Sequence, residues 1–242
     1  MKNLWKPLIL GISLVISVVI LTTAFLSYSR SHDTVSVTGL GETVFMADQI
    51  VWQGRILVDD YNQSQGYRQI EESRNRVAKY LKEQGVQDSE VTFSFVNVEK
   101  NFESVYQGGN YAGSRFAGYS LRQTFTVTSS DVDKVERISR EISALIAQGV
   151  NVESFTPSYY YTGLNDLKLE LIEKASRDAR LRAENVVSNA GARLGKAVSA
   201  RLGVFQITAA TGEEEYAYGG TFNTSSREKK ARITVRMEYR LK

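Results

Sequence analysis

Cysteine is missing from this chain of 242 residues, and histidine occurs once. Without thiols there is no disulfide framework, no thiolate nucleophile and no zinc–thiolate site. The single histidine, His32, precedes every candidate strand and lies outside any expected cleft. That removes a Ser-His-Asp triad and histidine-rich metal sites, and leaves carboxylate chemistry open. An excess of one charge is also lacking. The formal net charge is +3, but Lys2, Lys6 and Arg30 supply it, and residues 1–30 hold no acid. Residues 31–242 therefore carry 27 basic and 27 acidic side chains. Such a balance lacks the basic footprint of nucleic-acid binding. About 210 residues can nevertheless bury a substantial core without covalent staples.

From Leu8 to Leu26 the chain runs without a charge. As a helix this run is about 28 Å long, close to the ~30 Å hydrocarbon thickness of a bilayer. Lys2 and Lys6 precede it and only Arg30 closely follows, so the positive-inside bias keeps the N-terminus cytoplasmic and sends residues 31–242 to the periplasm or exterior. Trp5 and Tyr28 flank the run at positions suited to the two interfaces. The alternative is a cleaved signal peptide, with Leu8 to Leu21 as its apolar region and Thr22-Thr23-Ala24 as small residues at the cleavage site. The expected organisation is thus 1–30 as cytoplasmic N-terminus and transmembrane anchor, and 31–242 as one exported domain.

Beyond residue 30 the patterning is that of an α+β domain. Tyr119, Leu121, Phe125 and Val127 alternate with polar neighbours, as do Ile233, Val235, Met237, Tyr239 and Leu241. Less regular strand candidates are 35–38, 44–59, 91–101, 150–161 and 198–208. Half-buried strands of this kind predict antiparallel or mixed sheets packed against helices. A helix is predicted over 64–84, with Tyr67, Ile70, Val77 and Leu81 on one face and Gly85 as its stop. A second opens at Ser130, buries Val132, Val135, Ile138, Ile142 and Leu145, and ends at Gly149. The third, over 164–190, spaces Leu164, Leu167, Leu171, Ala175, Ala179, Ala183 and Val186 along one stripe and stops at Gly191. Its alanines predict close approach to a sheet.

The order of elements suggests an internal duplication. Strand 44–59, helix 64–84, strand 91–101, loop 104–118 and strand 119–128 are matched by strand 150–161, helix 164–190, strand 198–208, loop 211–227 and strand 229–241. This makes two strand-helix-strand-strand units in one domain, alike in architecture rather than in residue identity.

Val35-Ser36-Val37-Thr38-Gly39-Leu40-Gly41-Glu42, just after the apolar run, resembles the opening strand of the SIMPL-domain family, a domain of unknown function. Lys174 to Glu184, followed by Gly191-Ala192-Arg193-Leu194-Gly195-Lys196, is similar to that family's most recognisable helix and turn. The likeness extends over essentially all of 33–242. It implies an envelope or secreted α+β protein, often oligomeric, with ring- or channel-like assemblies in some members and a loose association with stress tolerance. It implies no agreed reaction and transfers no catalytic residue.

Several motifs invite a chemical reading and have a plainer one. Gly39-Leu40-Gly41 superficially suggests a dinucleotide loop, but Val44 stands at the third-glycine position and a strand follows, so a turn between two strands is expected. Glu213-Glu214-Glu215 could hold a hard cation but lacks the spaced ligands of a calcium loop. Arg177, Arg180, Arg182 and Arg193 could contact an anionic ligand or lipid headgroup. Because Glu170, Glu173, Asp178 and Glu184 are interleaved, a charged outer helix face with i,i+4 pairs is the better expectation.

The two loops carry more weight. Tyr106, Tyr111 and Phe116 in one, and Tyr216, Tyr218 and Phe222 in the other, stand among glycines at equivalent places in the two halves. Tyrosine supplies contact area at low entropy cost and glycine adaptability, as in recognition surfaces. The alternative is a pair of long mobile hairpin loops. The reading is therefore a non-enzymatic assembly or interaction module, anchored in the membrane and homo-oligomeric, with no cofactor and no nucleic-acid partner. A small-ligand binding or sensor protein is one alternative and would need a pocket with convergent polar groups. A hydrolase using carboxylates alone is another, and no spacing suggests its paired acids.

Overall fold

The computed structural model describes residues 5–30, 33–211 and 219–242, with the side chains of 6–8 and 26–30 outside the description. Helix α1 (Trp5–Arg30) comes first. Its described side chains, Trp5 and those of 9–25, hold no charge and are all exposed. Among the described residues, no helix is both long and apolar enough to cross a membrane.

The rest is a mixed α+β fold with two sheets, every strand pair antiparallel. In the first sheet β1 (Thr34–Met46) and β8 (Leu194–Leu202) flank β10 (Glu228–Leu241), and β9 (Gln206–Ala209) also pairs with β10. In the second, β2 (Gln49–Asp60) lies beside β5 (Asn110–Ser129); β3 (Val91–Phe93) and β4 (Asn97–Gln107) pair with β5, and β6 (Val152–Ser154) and β7 (Ser158–Tyr160) with β2. Helices α2 (Gln63–Glu83) and α3 (Val132–Glu141) cover the second sheet, and α4 (Leu164–Asn189) covers the first.

Each sheet has its own core. Trp52, Phe125, Ile50, Ile56, Ile70, Val77, Leu81 and Ile138 form one, where Trp52 meets Phe125 edge-on at 5.4 Å and its indole N–H donates to Ser154 Oγ at 3.0 Å. Leu167, Leu171, Ala175, Ile207, Ala231, Ile233 and Val235 form the other.

The helices follow the sequence pattern closely. Asn62 caps α2 by accepting from Ser64 N and Gln65 N, and Asp131, rather than Ser130, caps α3 by accepting from Lys134 N. The three expected glycine stops, Gly85, Gly149 and Gly191, have φ of +81°, +83° and +75°, where L side chains are strained. Past Glu141 the second helix tightens to a 3-10 turn through Gln148. Two face assignments shift. Tyr67 is exposed and Gly66 takes its place, because Leu121 packs into the space where a Cβ would stand. Val186 is exposed and Val187 buried, the stripe having drifted by one residue at the end of a long helix.

The strands depart further. The expected strand over 44–59 is two strands in different sheets, parted at Ala47-Asp48. Asp48 holds the break by accepting from Thr162 N at 2.8 Å and Thr162 Oγ1 at 2.6 Å. The expected strand 150–161 is only β6 and β7, short edges of the second sheet. The two sheets share one pairing pattern, but it does not follow the expected chain order. β10 takes β1 as its neighbour, as β5 takes β2, so the opening strand of the second unit comes from the start of the domain.

Candidate functional site

The segment expected as loop 104–118 is not a loop. Pairing of β5 with β2 stops at Asp60 opposite Tyr119, whereas pairing of β5 with β4 continues to Gln107 opposite Asn110. The result is a two-stranded ribbon projecting past the sheet, turned by Gly108 and Gly109 at φ +61° and +84°. Opposed residues of an antiparallel pair share a face. Phe102 opposite Phe116, Ser104 opposite Ser114 and Tyr106 opposite Tyr111 therefore make one face, and Glu103 opposite Arg115 and Val105 opposite Gly113 the other.

The first face is aromatic. Phe102 and Phe116 stand 6.0 Å apart, Tyr106 and Tyr111 6.1 Å, Phe116 and Tyr119 5.2 Å, and Tyr61 reaches in from the end of β2 at 6.4 Å from Phe116, all edge-to-face. Such pairing orders the rings without burying them. Phe102, Tyr106, Tyr111 and Tyr61 remain 60–70% exposed. The opposite face is polar, with Arg115 bridging Glu103 at 3.1 Å. Tyr106, Tyr111 and Phe116 are thus brought together. Phe102 and Tyr61 join them without having been singled out in the sequence; the alternation of Phe102, Ser104 and Tyr106 was the readable signal for the first, and Tyr61 had none.

The second loop is built differently. Tyr216, Tyr218 and the Glu213-Glu214-Glu215 run lie outside the described residues, as does His32. Phe222 bridges Ile207 in parallel and is half exposed, and Asn223 N donates to Ile207 O at 2.9 Å. The buried ammonium of Lys229 donates to Asn223 O at 2.6 Å. The described part of 211–227 is therefore folded back on β9.

Gly39-Leu40-Gly41 lies inside β1 rather than in a turn. A Cβ on Gly39 would collide with Ala175 O and come within 2.8 Å of Ala179 Cα; one on Gly41 would collide with Leu171 O. Backbone of β1 and backbone of α4 are in direct contact, which explains both the glycines and the alanines. Asp178 completes the contact by accepting from Leu40 N at 2.8 Å. That bond holds its carboxyl below the usual aspartate range against the opposing effect of burial, with Arg182 adding to the depression.

The outer face of α4 carries the expected i,i+4 pairs: Lys174–Glu170 at 2.7 Å, Arg177–Glu173 at 2.6 Å, Arg180–Glu184 at 2.8 Å and Arg182–Asp178 at 2.8 Å. Arg193 lies beyond the helix and is exposed.

The described clefts are partly open, with linings that range from polar to largely apolar. One of about 550 Å³ on the outer face of the second sheet has Arg55, Phe95, Glu99 and Arg122 among its lining. Its arginines are committed, Arg122 to Glu99 at 2.6 Å and Arg55 to Glu153 at 3.5 Å. Among the described residues no group of acidic or histidine side chains is placed to hold a metal ion. The aromatic ribbon is the strongest candidate site, with the exposed ring surface that protein contacts use.

No curated protein matches the chain. A family match covers residues 35–239, from the glycine-bearing strand β1 to the end of its partner β10. The chain belongs to the SIMPL family, described as proteins of unknown function (DUF541).

Proposed function

We propose that this protein is a membrane-anchored envelope module that works by non-enzymatic self-assembly, with the β4–β5 ribbon as the surface through which copies meet. The observation that carries the reading is the ribbon's aromatic face, two edge-to-face clusters exposed on a segment that projects beyond its own sheet. Exposed apolar patches of this kind mark interaction sites, and a ribbon with unpaired strand edges offers backbone hydrogen bonds as well. Anchoring is supported by the uncharged run Leu8 to Leu26, apolar around its whole circumference where a globular helix would be amphipathic. On this reading α1 lies in the inner or plasma membrane and the SIMPL domain faces the periplasm or exterior. A role in stress tolerance follows only from family likeness.

The test is light scattering on the full chain in detergent and on a variant whose residues 102–116 are replaced by a tight Asn-Gly turn. The variant keeps its circular dichroism and loses oligomeric mass. Equal masses for parent and variant would sink the ribbon interface. In the same preparation, α1 as an anchor keeps the protein in membranes through a carbonate wash. A mature chain beginning near Phe25 in mass spectrometry would replace the anchor with a cleaved signal.

A further inference from the structure

We propose that the end of the first sheet adjoining α1 is a basic platform that rests on anionic phospholipid headgroups and holds the exported domain in one orientation on its membrane. The inference rests on reading α1 as an anchor. Arg30 closes α1 and Asp33 already belongs to the domain, and three extended residues reach about 10 Å. Asp33 therefore lies within that distance of the end of the anchor, and the strands beside it follow at about 4.8 Å each.

The residues that pack there are cations from distant parts of the chain. Asp33 O accepts from Leu241 N at 2.9 Å, Lys242 N donates to Arg193 O at 2.8 Å, and Arg193 N donates to Lys242 O at 3.4 Å. Thr34 stands opposite Arg240 and Leu194 opposite Leu241. An irregularity between Tyr239 and Leu241 leaves Gly195 and Lys196 beside Arg240, so close that a Cβ on Gly195 would lie 2.6 Å from Arg240 O. The starts of β1 and β8 and the end of β10 thus gather Arg193, Lys196, Arg240 and Lys242 at one edge.

All four are exposed, and among the described residues none has an ion-pair partner, in contrast to the paired arginines along α4. Asp33 is the one acidic side chain on these segments. The next carboxylate inward, Glu238, is engaged by Thr34 Oγ1 at 2.7 Å and Ser199 Oγ at 3.2 Å. In a domain of balanced overall charge, this is an asymmetry that folding creates. It does not oppose the topology either, because orientation is set by cations close to the anchor in sequence, and a long domain is translocated regardless of its charges. Unpaired cations within a Debye length, about 8 Å, of an anionic surface are attracted to it.

The test uses the full chain in nanodiscs of phosphatidylcholine alone or mixed with phosphatidylglycerol. The chain has no cysteine, so Ser188→Cys, in the exposed last turn of α4, takes a single donor dye; headgroup-labelled lipid is the acceptor. Asp33 and the α-carboxylate of Lys242 set against the four cations leave two net charges; at about a fivefold bias each, the ratio of docked to lifted orientations rises about twenty-five-fold in anionic discs. The rise is lost in high salt and in the variant carrying Arg193→Gln, Lys196→Gln, Arg240→Gln and Lys242→Gln. It is retained when the same positions exchange Arg for Lys and Lys for Arg. Energy transfer indifferent to lipid charge, or unchanged by the Gln variant, overturns the platform while leaving the anchor intact. A full chain that fails to enter discs at all removes the anchor and the platform with it.

Discussion

Asp178 shows how one side chain can join two parts of the chain that are remote in sequence. Its carboxylate accepts from the amide of Leu40 at 2.8 Å and from Arg182 at 2.8 Å. It satisfies an edge-strand donor that would otherwise face the helix unpaired. Asp178→Ala is expected to cost about 1 kcal/mol at neutral pH, the low side for a charged hydrogen bond because the carboxylate is about a third exposed. The pH dependence has a definite sign. The folded-state pKa lies below the ordinary aspartate value, so the contribution is complete above pH ~4 and is lost as pH falls through the lower folded value. Urea midpoints of parent and variant should therefore converge on acidification below pH ~4. A gap that stays constant down to that range would mean the charge plays no part.

Among the helix-on-sheet contacts, that of α4 with β1 is the most extensive. Ala175, Ala179 and Ala183 are fully buried, and the helix backbone touches that of the strand at Gly39 and Gly41. The atoms that a side chain at Gly39 or Gly41 would meet are backbone atoms of α4, which cannot change rotamer and yield, so added volume must separate the elements. Ala179→Leu is expected to cost about 1–3 kcal/mol, and Gly39→Ala to be similarly damaging although it adds a single methyl. Arg180→Ala, on the solvent side, should cost far less. Equal losses at Ala179 and Arg180 in equilibrium denaturation would show the helix face to be misassigned. Much of this interface was legible, since the alanine stripe already predicted close packing. The glycines were not read correctly, because Gly-Leu-Gly looks the same in a turn and in a strand pressed against a helix. The ribbon was missed for a related reason. Glycine and tyrosine in 104–118 suggest a loop by composition, and only pairing with a second strand shows otherwise.

At the scale of the molecule, the two sheet-and-helix layers are joined at a polar seam. Arg227, just before β10, places its guanidinium between Asp133 and Glu136 of α3, while its carbonyl accepts from Ala47 N at 2.9 Å. Tyr159 N donates to Thr224 O at 2.7 Å, and Asp48 N to Tyr160 O at 3.0 Å. The hydrogen bond and charge of Arg227 hold Asp133 below the usual carboxylate range. This clasp, like the Asp178 contact, therefore weakens as pH falls below about 4. Arg227→Met should speed hydrogen exchange at the seam amides of Ala47 and Tyr159 and leave core amides such as those of Trp52 and Ile233 protected. Uniform acceleration everywhere would instead mean that the layers have no separable stability and unfold as one.

Local periodicity was enough to determine the α+β class, the glycine stops of the three domain helices and, Tyr67 and Val186 apart, the stripe each buries, because all of these depend on residues within a turn or two of one another. The family likeness was readable too, and the structure gives its residues a physical role as the β1–α4 contact. Only the tertiary structure decided that strand 44–59 divides between two sheets, that β1 pairs with β10 so that Ser36 meets Arg236 across 200 residues, and that 102–116 is a ribbon with an aromatic face. The physical reason is that a period of two identifies the buried side of a strand but not its neighbour. The backbone groups that pair strands are the same in every residue, so the choice of partner rests on contacts between segments that no local pattern contains.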